Sequence, residues 1–206
     1  MAVTATSALR AVVMVSALGC GIWGVFHERP LHPVDGVLVA GRPHQDNYED
    51  AQPTVRRGKW TLTPRARYDI TARVLKAERY RFDDMSDLSP LDLSLGWGEM
   101  SGNAMLDELD LSESKRELHE TVRAEYEGMD YGYVLRHSSN NHVIPLDAGI
   151  ESQLLALHAG QVIELQGDLV DAHSDDGWHA NTSLTRDDEG EGACEVMLVR
   201  AVQAKN

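Results

Sequence analysis

The chain has 206 residues, 42% of them hydrophobic, with 19 basic against 33 acidic side chains and a formal net charge of −14. That much apolar residue excludes wholesale disorder, and the length suits one domain with a short appendage. So acidic a balance speaks against a generic DNA or RNA binder, whose affinity comes from cations on phosphates.

The first 26 residues carry a single charge, Arg10, and contain the charge-free run AVVMVSALGCGIWGVF at 11–26. Sixteen residues at helical rise span about 24 Å, a little short of a hydrocarbon core of about 30 Å. Uncharged residues before Arg10 extend the span, with Arg10 reaching back to the interface. Residues 1–26 therefore predict a membrane anchor or signal sequence. A retained signal-anchor fits best. A cleaved signal peptide lacks a clean small-x-small site. Lipidation at Cys20 is the third option, although ALGC puts Leu18 one residue out of lipobox register. The expected location is the inner membrane, single-pass, with the globular part in the periplasm. Expected partners are the membrane itself and an envelope protein or small ligand, with no nucleic acid.

Residues 27–60 hold four prolines and read as an extended leader, with VDGVLVAG as a short strand. Arg56, Arg57, Lys59, Arg65 and Arg67 form a short basic cluster, read as a solvated face that also suits anionic lipid. In ARYDITARVLK, Tyr68, Ile70, Ala72 and Val74 alternate with polar residues, which predicts a half-buried strand. SPLDLSLGWG opens like a helix, with Ser89 as N-cap, Pro90 at the first position and Asp92 near the dipole. NAMLDEL, 103–109, is a second short helical stretch. For 113–127 helix and strand remain open, with a tilt to strand. YGYVL, 131–135, reads as a strand that enters the polar decapeptide RHSSNNHVIP, 136–145, taken as a structural corner.

After Pro145 the signals sharpen. Asp147 caps a helix whose stripe is Ile150, Leu154 and Leu157, with Gly160 as stop. GQVIELQGDLVDA is a strand with Ile163, Leu165 and Leu169 on one face, and Gly167 there suits a bulge or sharp coil. Asp176-Gly177 signals a hairpin into WHANTSLT. ACEVMLVRAV closes with Cys194, Val196, Leu198 and Val202 on one face. The fold class is mainly β with short helices (α+β). The order of elements predicts an OB-like small antiparallel barrel over 61–206, preceded by an N-terminal transmembrane helix.

SPLDLSLGWG, HSSNNHVIP, GQVIELQGDLV and GWHANTSLTRDDEGEGACE resemble motifs of a group of uncharacterised membrane-anchored Gram-negative bacterial proteins, over about residues 34–200. The resemblance implies organisation and envelope association, and brings no catalytic residues with it.

The chemistry-bearing residues are few. His137 and His142, together with Cys194 and Glu195, are zinc-ligand types at a spacing that matches no ligand pair, and His173 and His179 flank the acidic turn. No metal and no cofactor is expected. A sharper pattern makes Cys194 a nucleophile, His142 or His137 its base, and Asn140 or Asn141 the orienting group. The parity of Cys194 with Val196 and Leu198 points instead to a buried, inert thiol. Arg186 in TRDDEGEG is read as closing a loop through an ion pair with Asp187 or Asp188. The expected function is a non-enzymatic, membrane-anchored binding or assembly module of the cell envelope, with contacts at His137, Asn140, His142, Trp178 and Arg186. The alternative is a membrane-anchored hydrolase or thiol enzyme using Cys194 with His142 or His137.

Overall fold

The structure, a computed structural model, describes residues 35–123, 129–185 and 193–205. The anchor segment 1–26, Cys20 and Arg186 lie outside the described residues. Among the described residues no helix is long and apolar enough to cross a membrane.

The fold is mainly β with a few short helices. In chain order it runs β1 (His44–Asn47), β2 (Val55–Arg57), β3 (Trp60–Arg79), β4 (Leu91–Gly96), a 3-10 turn (Glu99–Ser101), α1 (Asn103–Leu106), β5 (Leu109–Ser114) and β6 (Glu117–Val122). There follow α2 (Tyr131–Arg136), β7 (Ser138–Pro145), α3 (Ala148–Leu154), β8 (Val162–Ser174), β9 (His179–Ala180) and β10 (Glu195–Lys205). Antiparallel pairing joins β3 to β4 and β4 to β7. β10 lies parallel to β7 and antiparallel to β8, and β8 pairs antiparallel with β3. The path of hydrogen bonds thus returns to the strand where it began. β5 and β6 form a separate hairpin between β4 and β7.

Both faces of this sheet are buried. One face holds Tyr68, Ile70, Ala72 and Val74 of β3, Leu91, Leu93 and Leu95 of β4, and Met197 and Val199 of β10. The other holds Trp60, Leu62, Ile144, Val196 and Leu198, covered by Met85 and Leu88 from the loop after β3. Register shifts between Pro64 and Ala66 and between Val199 and Ala201 let strand parity change faces. This corrects the single face assigned to the last strand: Val196 and Leu198 belong to the second cluster, whereas Val202 packs against the first. Gly167 sits where β8 meets β10, and a Cβ there would fall 2.0 Å from the Leu198 carbonyl oxygen.

Several other expectations are revised. SPLDLSLGWG is not a helix: Leu91–Gly96 is β4, and its alternation of leucine with Asp92 and Ser94 is the strand signal that Ser89-Pro90 masked. YGYVL is helical, capped by Asp130, whose side chain accepts from the Tyr133 amide. The decapeptide is no corner, since Ser138–Pro145 is the fully buried strand β7. WHANTSLT contributes only His179–Ala180 as strand. β1 and β2 lie inside 27–60, read as extended leader, yet both are hydrogen-bonded to β3. The open segment at 113–127 supplies the end of β5 and all of β6.

The helix after Pro145 begins at Ala148, with the Asp147 carboxylate accepting the Ile150 amide at 2.9 Å. Replacing Asp147 by alanine should cost about 1 kcal/mol, because that amide then loses its acceptor. The check is the urea midpoint, which should fall with no change in slope.

Candidate functional site

The chemistry gathers on the second face, where β4, β7 and β10 lie side by side. Pairing sets Asp92 opposite His142 and Ser94 opposite Asn140. The parallel pair sets His142 opposite Val196, so Cys194 and His142 are diagonal neighbours on the same face. His142 Nδ1 lies 2.9 Å from Asp92 Oδ2, in a contact closer to an ion pair than to an aligned hydrogen bond. Burial alone would depress the imidazole. The close contacts with Asp92 and Cys194 outweigh it and raise the His142 pKa to about 9. His142 is therefore an imidazolium at neutral pH, enclosed between a carboxylate and a thiol.

Asp92 is completely buried and is held from its other oxygen by Arg116 Nη1 at 2.7 Å. The same guanidinium donates to Asp83 from Nε at 2.7 Å and to the Ser89 carbonyl at 3.0 Å, and lies 3.9 Å over the Tyr80 ring. Tyr80 in turn donates to Glu113 at 2.9 Å, and burial raises the pKa of that carboxyl. Lys115 and Arg116 form the two-residue turn between β5 and β6, both at positive φ (52° and 66°). Such a turn ordinarily takes Asn-Gly. Here the backbone strain is offset by what Arg116 bonds. Its carbonyl also accepts from the Asn140 side-chain amide and lies 3.9 Å from Cys194 Sγ.

Cys194 is a free, half-buried thiol, less enclosed than the core position expected from parity. Asn140 Nδ2 approaches Sγ at 3.6 Å. The thiol stands between a cleft of about 650 Å³, shared with His142, Arg116, Trp178 and Asn181, and one of about 370 Å³ lined by Leu118, Tyr131, Leu135 and Asn140. Trp178 packs edge-on against Trp60 at 5.4 Å.

Of the residues expected to act together, Asn140, His142, Trp178 and Cys194 converge. His137 stands apart: its ring stacks on Tyr133 at 3.8 Å and presses on Gly98, a packing role at the end of α2. Asn141 faces the other side, donating to Leu93 and Ser139. Asp92 and Arg116 were missed, the first because its segment read as a helix, the second because no turn signal marked it. The basic cluster is consumed internally. Arg56 pairs with Asp175, Lys59 with Asp176, Arg65 with Asp171 and Arg67 with Asp69, and Arg57 donates to the Leu146 carbonyl. Among the described residues no three His, Cys, Asp or Glu side chains are arranged to hold a metal ion.

His142 makes stability depend on pH. Its folded pKa lies above the ordinary 6.5, so the folded state binds the proton more tightly. The resulting stabilisation is complete below about pH 6.5 and is lost as pH rises through about 9. Denaturation midpoints should fall across that window, and His142→Gln should flatten the decline.

No protein-family model matches the chain, and no curated protein or solved structure matches it either.

Proposed function

We propose that the protein is an OB-type barrel, tethered to the cell-envelope membrane by residues 1–26, that binds a ligand or partner protein in the cleft beside His142, Trp178 and Cys194. The barrel reading is supported by the order β3-β4-β7-β10-β8, with the parallel β7–β10 pair and α3 between β7 and β8. In OB folds, ligands lie across the second and third strands, between the loops that follow the first and fourth. The corresponding parts here are β4 and β7, the loop 80–90 and the loop that begins at 175. This correspondence is an analogy of fold. The observation that carries the reading belongs to this chain: Asn140 and His142 of β7, Trp178 from the loop after β8 and Cys194 just before β10 line adjoining clefts on that face. The envelope location rests on the charge-free run 11–26 and on the resemblance of the motifs to membrane-anchored bacterial proteins.

Site-directed photo-crosslinking in whole cells tests this. A photoreactive residue replacing Asn181 in the cleft should give a discrete adduct, and one replacing Gln203 on the exposed end of β10 should not. Equal products from both positions, or none from either, would count against the cleft.

A further inference from the structure

We propose that Cys194 is an acyl-accepting nucleophile, with His142 as its proton carrier, Asp92 as the residue that positions His142, and Asn140 as donor to the acyl oxygen. The inference rests on the cleft being a binding site and adds the chemistry performed there.

Each part has a place in the structure. Cys194, one residue before β10, and His142 of the adjacent parallel strand β7 share one cleft. Asp92 holds the imidazole at 2.9 Å and cannot turn away, because Arg116 grips its other oxygen at 2.7 Å. A third group that orients the base is what separates a working nucleophile pair from a chance contact. Asn140 is only 6% exposed, its amide lies 3.6 Å from Sγ, and its Oδ1 accepts no hydrogen bond among the described residues. An amide donor beside a nucleophile is placed where charge develops on an attacked carbonyl. Solvent reaches the thiol from two sides. Both clefts have mixed linings: the smaller sets Leu118, Tyr131 and Leu135 beside Glu117 and Glu120, and the larger sets Met85 and Trp178 beside Lys115 and Arg116. A nucleophile, a proton carrier and a donor for the developing oxyanion fit an ester or thioester as substrate.

The reaction runs from the form of the site in which Cys194 and His142 share one proton. With that proton on His142, Sγ attacks the acyl carbon, a C–S bond forms and the carbonyl electron pair moves to oxygen beside Asn140 Nδ2. Collapse breaks the bond to the leaving alkoxide or thiolate, which takes the proton from the imidazolium. Water then gives a proton to neutral His142 as its oxygen attacks the S-acyl carbon. The carboxylic acid departs, and the thiolate–imidazolium pair is restored.

The probe is p-nitrophenyl butyrate, added to the full-length protein in detergent, with nitrophenolate release followed by absorbance and the adduct located by peptide mass mapping. The expected result is a burst of one nitrophenolate per chain and one butyryl group on Cys194, absent in Cys194→Ala. His142→Gln should slow acylation by about 10²-fold, the usual worth of a positioned acid–base group. Asp92→Asn should shift the pH–rate profile of acylation, which a merely structural role would leave in place. No adduct on Cys194 in the folded wild type would overturn the proposal. So would a rate no faster than that of the urea-unfolded chain, a comparison that decides the matter even if the His142 variant does not fold. Failure here with the Asn181 crosslink intact would remove the chemistry and leave the binding site standing.

Discussion

Gly167→Ala should prevent folding or cost more than about 3 kcal/mol, well beyond the usual effect of one added methyl group. Gly167 is paired on both sides, with Tyr68 of β3 and Val199 of β10. The new Cβ would lie 2.0 Å from the Leu198 oxygen, 3.0 Å from the Leu198 carbonyl carbon and 3.2 Å from the Val199 Cα. All three are backbone atoms of a buried strand, so no rotamer change relieves the overlap, and β10 must move off β8. That movement would separate Val196 and Leu198 from the second core cluster and carry Cys194 away from His142. Gly41→Ala is the control, because nothing lies within 4 Å of its Cβ position. It should stay within about 0.5 kcal/mol of wild type. Circular dichroism melts of the two variants give the comparison, and a Gly167→Ala melt close to wild type would refute the close approach of β8 and β10.

The second large effect is expected at Arg116. Its guanidinium, only 12% exposed, serves Asp83, Asp92 and the Ser89 carbonyl. Arg116→Ala would leave a fully buried Asp92 facing His142 alone, and breaking a buried pair from one side costs about 3–5 kcal/mol. Arg116→Lys should recover little, since an ammonium cannot fork to two carboxylates and lie flat on Tyr80. Asp83→Ala should cost much less, because Asp83 is partly exposed and water replaces the lost partner. Urea titrations of the three variants measure the order. Equal losses for Arg116→Ala and Asp83→Ala would show that the buried arm of the network carries no special weight.

How far these features could be read in advance depended on whether their signals were local. The Asp147 cap, the strand through Ile163 and Leu165, and the Asp176-Gly177 turn each sit within a few residues, and each took the expected form. Polar strands buried on both faces carry no alternation between water and core. That is why HSSNNHVIP read as a corner, whereas in SPLDLSLG the helix-start signal of Ser89-Pro90 hid an alternation that was present. Parity also misled at the end of the chain, where the shift at Val199/Ala201 changes the face. The pairing of His142 with Cys194 was drawn from residue types alone. Asp92 joined them only through strand register, and Arg116 only through a strained turn that lacks the expected Asn-Gly.

The parallel strand β10 comes after every element it pairs with, and it bears the residues that follow the thiol. A nascent chain stopped short of residue 195 therefore has no strand to bridge β7 and β8, whatever local hairpins it has made. Assembly must wait for contacts between distant parts of the chain, which slows it toward the millisecond-to-second range typical of such topologies. During that interval Cys194 is an unguarded sulfhydryl, open to any oxidant before its neighbours enclose it.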